Sequence, residues 1–225
     1  MRQSHHLTKK TQGRKKPLYL TLDASSINSR HLYESVLKIK SSFGNSAVTD
    51  EHYNVVIDKK RRQSLSLLDQ KAVRALSEPL GKIVADNHLE IVRYLQIKSF
   101  RHVKTKCSCV VFQDGDFFEK HRDYVPYAVN LRRYTWVYYY HREPRCFSGG
   151  NLLFFEDEKL IEEVSPSAGT LIVFAADIMH AVSTVRVPSG DFADGRFSLN
   201  GFVSERPSVA YRLYSKTIRT LKRIC

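Results

Sequence analysis

The sequence predicts an α+β fold: a double-stranded β-helix (jelly-roll, cupin-like) core with an N-terminal helical layer. Apolar side chains recur at spacings of three and four through residues 64–98, the period of helices packed on one side. From residue 104 the chain becomes a succession of short runs rich in Tyr, Phe, Val and Thr, separated by turn residues.

Residues 1–16 are polar and basic, and are expected to form a flexible arm. Residues 17–225 are expected to form a single domain, since a chain of 225 residues suffices for one buried core. "SLSLLDQKAVRAL" and "EPLGKIVADNHLEIVRYL" read as two helices, with Pro79 near the start of the second, where its missing N–H costs nothing. The strands of the core, about 104–215, are expected in "KCSCVVFQ", "RRYTWVYYYH", "NLLFFED", "TLIVFAA", "HAVSTVRV", "RFSLNGFVS" and "VAYRLYS". Gly149-Gly150, Pro166, Gly169, Pro188-Ser189-Gly190 and Gly195 punctuate them.

Composition narrows the class of protein. No apolar run approaches the ~20 residues of a membrane helix, and no secretory leader opens the chain, so a cytoplasmic protein is expected. Cys107, Cys109, Cys146 and Cys225 are too irregular for a disulfide framework, and Cys107-x-Cys109 reads as packing rather than as a zinc pair. The net charge of +13 gathers at Lys9, Lys10, Arg14, Lys15 and Lys16, at Lys59 to Arg62, and at Lys216, Arg219, Lys222 and Arg223. Such segments suit an acidic partner or nucleic acid, and equally a solvated surface, with no nucleic-acid-binding motif beside them.

The chemistry concentrates in "HRD". In extended backbone, positions i and i+2 share a face, so His121 and Asp123 aim at one point. His180, opening the strand after "TLIVFAA", is the candidate third ligand. Two imidazoles and a carboxylate on one face suit non-haem iron(II) with open positions; each histidine alone reads better as a structural or surface residue, and it is the joint pattern that favours a metal. Iron of this kind needs an electron-supplying cosubstrate. In "GRFSLNGFV" alternation places Arg196 with Ser198, and in "RRYTWVYYYH" it aligns Thr135, Val137 and Tyr139. A buried arginine flanked by hydroxyls can clamp a carboxylate, while singly Arg196 reads as a surface charge and Tyr139 as core.

With these residues assembled, the β half resembles the Fe(II)/2-oxoglutarate-dependent oxygenases, in their prolyl 4-hydroxylase-like branch. The resemblance runs from about residue 104 to 203, through "FQDGDFFEKHRD", "YTWVYYYH", "FSGGNLLFFED", "PSAGTLIVFAADIMHAV" and "GRFSLNGFV" in that order. It implies that His121, Asp123 and His180 bind Fe(II), and that Arg196, with Ser198 and Tyr139, holds 2-oxoglutarate. It implies dioxygen as the oxidant, admits ascorbate as an accessory, and makes the protein a hydroxylase that releases succinate and CO2. Phe112 stands where many relatives have tyrosine, Asn151 where a Gly-Gly-Glu sequence is common, and Phe202 where tryptophan is common.

For the substrate, the resemblance favours an aliphatic C–H in a protein, a prolyl residue first. The alternatives are a small molecule (amino acid, sugar or secondary metabolite) and, in another class, a non-catalytic nucleic-acid-binding relative. "YVPYAVNLRR" reads as a lid whose Arg132 and Arg133 face an acidic substrate or solvent, and "TVRVPSGDFADG" as the opposite rim.

Overall fold

Alternation of side chains along the long strands decides how this chain is layered. The computed structural model describes residues 8–9, 17–50, 52, 54–100, 102–124, 131–205 and 208–224. Its first part holds β1 (Thr8–Lys9), β2 (Tyr19–Leu22), α1 (Ser29–Leu37), β3 (Phe43–Asn45), β4 (Val48–Thr49), β5 (Val55–Val56), β6 (Arg62–Gln63) and β7 (Leu65–Leu67). Helices α2 (Gln70–Asp86) and α3 (His88–Tyr94) follow, then β8 (His102–Phe112), β9 (Phe117–His121), β10 (Leu131–Tyr140), β11 (Ser148–Gly149), β12 (Leu152–Glu156) and β13 (Lys159–Val164). The remainder is β14 (Leu171–Ala175), β15 (Met179–Val182), β16 (Val185–Arg186), β17 (Arg196–Glu205) and α4 (Val209–Ile224).

An 8-stranded antiparallel sheet runs β1-β2-β14-β10-β17-β8-β7-β3, and a 5-stranded one runs β13-β12-β15-β9-β6. Along β10, Tyr134, Trp136, Tyr138 and Tyr140 enter one core with Val73, Leu80 and Val84 of α2 and Leu32, Tyr33 and Val36 of α1. Val137 and Tyr139 point the other way, into a second core with Leu152 and Phe154 of the smaller sheet. Both faces of β10 are thus covered, which is why "YTWVYYY" shows no polar alternation. Each such aromatic, fully buried, contributes roughly 1.5–3 kcal/mol. The Trp136 indole lies over Gly201 of β17, where a Cβ would come within 2.0 Å of it.

Several expectations are corrected. Pro79 lies inside α2, not near a helix start. The helix survives because Val73, Ser77, Leu80 and Val84 are buried on one face and Asp69 caps the N-terminus, accepting from the backbone N–H groups of Lys71 and Ala72. Residues 65–67, read with the helical segment, form β7, which lies between β8 and the edge strand β3 of the large sheet. "VAYRLYS" opens helix α4 instead of forming a strand, its short apolar run serving either period. Of the arm at 1–16, Thr8–Lys9 pair with β2 and the rest lies outside the described residues. No helix among the described residues is long and apolar enough to cross a membrane.

Candidate metal centre

His121 closes β9 and His180 lies on β15, and the two are directly paired across the ladder. Their rings sit 4.2 Å apart. Nδ1 of His121 is 2.8 Å from the Glu119 carbonyl oxygen, and Nδ1 of His180 is 3.0 Å from that of Ile178. A carbonyl oxygen only accepts, so each ring carries its proton on Nδ1 and presents the Nε2 lone pair. Those Nε2 atoms stand 3.8 and 3.7 Å from the two oxygens of Asp123, beyond hydrogen-bond length. Ligand atoms of all three residues lie within 4.8 Å of one another. An anionic oxygen and two oriented imidazoles around one point make a metal-binding donor set.

The carboxylate is fixed from the large sheet. Thr135 Oγ1 on β10 donates to Asp123 Oδ2 at 2.6 Å, and Arg132 Nη1 donates to the Asp123 carbonyl at 3.3 Å. Burial pushes the Asp123 carboxyl upward, but the two imidazoles, Arg132 and the Thr135 hydroxyl outweigh it and hold it below the ordinary carboxylate range. Burial first, and then His180, press His121 down to about 3, keeping it neutral.

One continuous pocket joins this cluster to Arg196, Ser198 and Tyr139. Register puts them together: Ser198 pairs with Tyr139, and Arg196 with Phe112. Arg196 is 2% exposed, and its Nε donates to the Gly150 carbonyl at 2.6 Å. Its guanidinium is 5.0 Å from the Phe112 ring centroid and 4.9 Å from that of Tyr139. Gly150 is required here: at φ +65 its absent Cβ would meet Arg196 Cδ at 2.5 Å. Beside the guanidinium, the buried Tyr139 hydroxyl has no hydrogen-bond partner of ordinary geometry, and burial, only partly opposed by Arg196, raises the phenol pKa. A buried guanidinium and an orphaned phenol in one pocket fit an anionic guest that accepts hydrogen bonds from both.

All six residues singled out from the sequence therefore line one cavity. Phe112 and Phe202 line it too, whereas Asn151 lies outside it, its backbone N–H donating to Ser183 Oγ at 2.9 Å. Arg132 and Arg133 belong to β10, not to a loop. Arg132 is engaged with Asp123 and with the Phe202 ring, 4.1 Å away, and Arg133 lies 3.5 Å from Glu205. The rest of the expected lid, 125–130, lies outside the described residues. The segment 184–195 is not a rim of this pocket: Phe192 packs on Phe43 and Phe197 in the helix-side core. Missed altogether were Arg62, Ser108, Phe118 and Asn200, which line the pocket. Arg62 stood in a basic run whose only strand signal is two residues long. Cys109 packs as expected, its buried thiol pushed up to about 12.

Residues 106–204 match the family model of the 2OG-Fe(II) oxygenase superfamily. An uncharacterised PKHD-type hydroxylase of Synechocystis sp. is 28% identical over 154 residues, which cover 64% of this chain and 50% of that protein. The chain thus spans about half the length of this curated relative. A Trichoplax adhaerens prolyl hydroxylase, solved with a hypoxia inducible factor oxygen degradation domain peptide, superposes with TM-score 0.63 at 16% identity, covering 88% of this chain and 86% of that one. A Pseudomonas putida prolyl-4-hydroxylase gives TM-score 0.54 at 18% identity, covering 80% and 89%. At these identities the likeness is one of fold, and it agrees with a jelly-roll built on the large antiparallel sheet.

Proposed function

We propose that this chain is a 2OG-Fe(II) oxygenase, a reading supported by the family match over residues 106–204 and the likeness to the PKHD-type hydroxylase, and that it hydroxylates an aliphatic C–H bond in a peptide or protein, a prolyl residue being the first candidate. The observation that carries the reading is one cavity lined by both the His121, Asp123 and His180 donors and Arg196. In it, His121, Asp123 and His180 hold Fe(II). Arg196, with Tyr139 and Ser198 beside it, receives the distal carboxylate of 2-oxoglutarate. Iron and 2-oxoglutarate together supply dioxygen activation, with succinate and CO2 as by-products.

The chain's own contribution is orientation and exclusion of water. Backbone carbonyls lock both imidazoles with Nε2 inward, and Thr135 turns the Asp123 carboxylate toward them. Leu152, Phe174, Val137 and Val182 give the cavity apolar walls, which strengthen the charge interactions inside it. We read residues 17–225 as one domain, with α1 to α3 as the layer that stiffens the outer face of the large sheet. The peptide assignment draws on the Trichoplax prolyl hydroxylase, whose structure is a complex with a peptide fragment.

Heavy-isotope dioxygen tests the reading. Host extract receives Fe(II), 2-oxoglutarate and either wild type or Asp123→Ala, and macromolecules are then separated from the small-molecule filtrate. Asp123-dependent label in protein is expected. Label confined to the filtrate moves the chemistry to a small molecule, and no Asp123-dependent label anywhere refutes the hydroxylase.

A further inference from the structure

The pocket carries one cation that the proposed chemistry leaves without a use. Its lining bears three formal charges among the described residues: Asp123, Arg196 and Arg62. The first belongs to the metal and the second to the distal carboxylate. Arg62 is paired across the ladder with Phe118, and its guanidinium lies 4.7 Å from that ring's centroid. Phe118 in turn stacks on the metal-facing His121, ring to ring at 3.6 Å. Phe118 thus touches both Arg62 and the metal-facing His121, and all three line the same pocket.

The side chain is held in place from behind. Its Nε donates to Ser64 Oγ at 2.8 Å, and Ser64 Oγ donates at 2.8 Å to Ser46 Oγ, both serines being buried. That arrangement uses the inner nitrogen and leaves the terminal fork for another group. Arg62 makes no ion pair among the described residues, although burial, opposed by Asp123 and aided by Arg196, draws its pKa down to about 10. A partly buried guanidinium anchored through Nε, with its terminal fork left over, is suited to receive a carboxylate.

Resting on the hydroxylase reading above, we propose that Arg62 receives a carboxylate of the substrate, so that the target is an acidic peptide with Asp, Glu or a terminal carboxylate within a residue or two of the oxidised carbon. The fork fixes the substrate's register. An anion there also offsets a positive charge that otherwise sits unpaired against a largely apolar wall.

The experiment begins with the sites labelled by heavy-isotope dioxygen in an Asp123-dependent manner. A fluorescein-tagged peptide of a mapped sequence, and its copy with the acid changed to the amide, are then bound to wild type, Arg62→Gln and Arg62→Lys, with anisotropy as the readout. The amide copy is expected to bind wild type roughly 10- to 100-fold more weakly, the loss of one charge-assisted pair, and Arg62→Gln to bind both copies alike. Arg62→Lys keeps part of the preference, because it keeps the charge and loses the fork. Equilibrium binding of 2-oxoglutarate to Arg62→Gln is expected within about 2-fold of wild type. Labelled sites without a nearby carboxylate, or an acid preference unchanged in Arg62→Gln, overturn this inference while leaving the hydroxylase standing. A tenfold loss of 2-oxoglutarate affinity overturns it too, by giving Arg62 to the cosubstrate. Absence of any Asp123-dependent label removes the hydroxylase and this inference together.

Discussion

Asp123 meets both sheets at once: its carboxylate faces imidazoles on β9 and β15 and takes a proton bond from Thr135 on β10. Thr135→Val keeps the shape and removes only that bond. We expect it to weaken Mn(II) or Fe(II) binding by about 10- to 100-fold in a competition titration while the metal-free protein unfolds as before. Arg196→Ala is expected to raise the 2-oxoglutarate requirement at least about tenfold. Gly150→Ala should move it the same way, because the added methyl occupies the space of Arg196 Cδ; an unchanged requirement would assign the clamp elsewhere. These residues were legible in the sequence because strand alternation alone pairs Arg196 with Ser198 and aligns Thr135 with Tyr139. Arg62 was not, since nothing local distinguishes it from Lys59, Lys60 and Arg61. Only its pairing with Phe118, 56 positions on in the numbering, turns it inward.

Secondary structure was misread where partner elements outweigh local preference. Leu65–Leu67 is a strand because β8 offers it an edge, and "VAYRLYS" is helical although its composition suits a strand. Pro79 is the sharpest case, since a proline inside a helix forgoes one backbone bond and crowds the preceding turn at roughly 3 kcal/mol. Burial of Leu80 and Val84 against the large sheet offsets it. Pro79→Ala is accordingly expected to raise the melting temperature, by roughly 2–4 °C for each kcal/mol recovered, with 2-oxoglutarate affinity unchanged. A fall in the melting temperature would show that the ring itself fills space that alanine leaves empty.

For the molecule as a whole, the site is a seam. His121 and His180 come from the 5-stranded sheet, whereas Thr135, Tyr139, Arg196 and Ser198 come from the 8-stranded one. A metal held by His121, Asp123 and His180 ties the smaller sheet to a carboxylate anchored on the larger, so binding should stabilise the whole fold. At Mn(II) about 100 times its dissociation constant the gain is about 2.7 kcal/mol, roughly 5–10 °C in melting temperature. Differential scanning fluorimetry should find that shift in wild type and lose it in Asp123→Ala.

The region shared with the oxygenase family starts at residue 106, yet the sheets do not. β2 lies along β14, β7 along β8 and β6 along β9, so the first third of the chain closes strands that fall in the matched region. A fragment trimmed to the family segment would bare those strands' backbone donors and acceptors, inviting other copies to add on. Such a fragment is expected to self-associate on expression, as size-exclusion chromatography would show. The residues before the matched region are, on this reading, what covers the edges of its sheets.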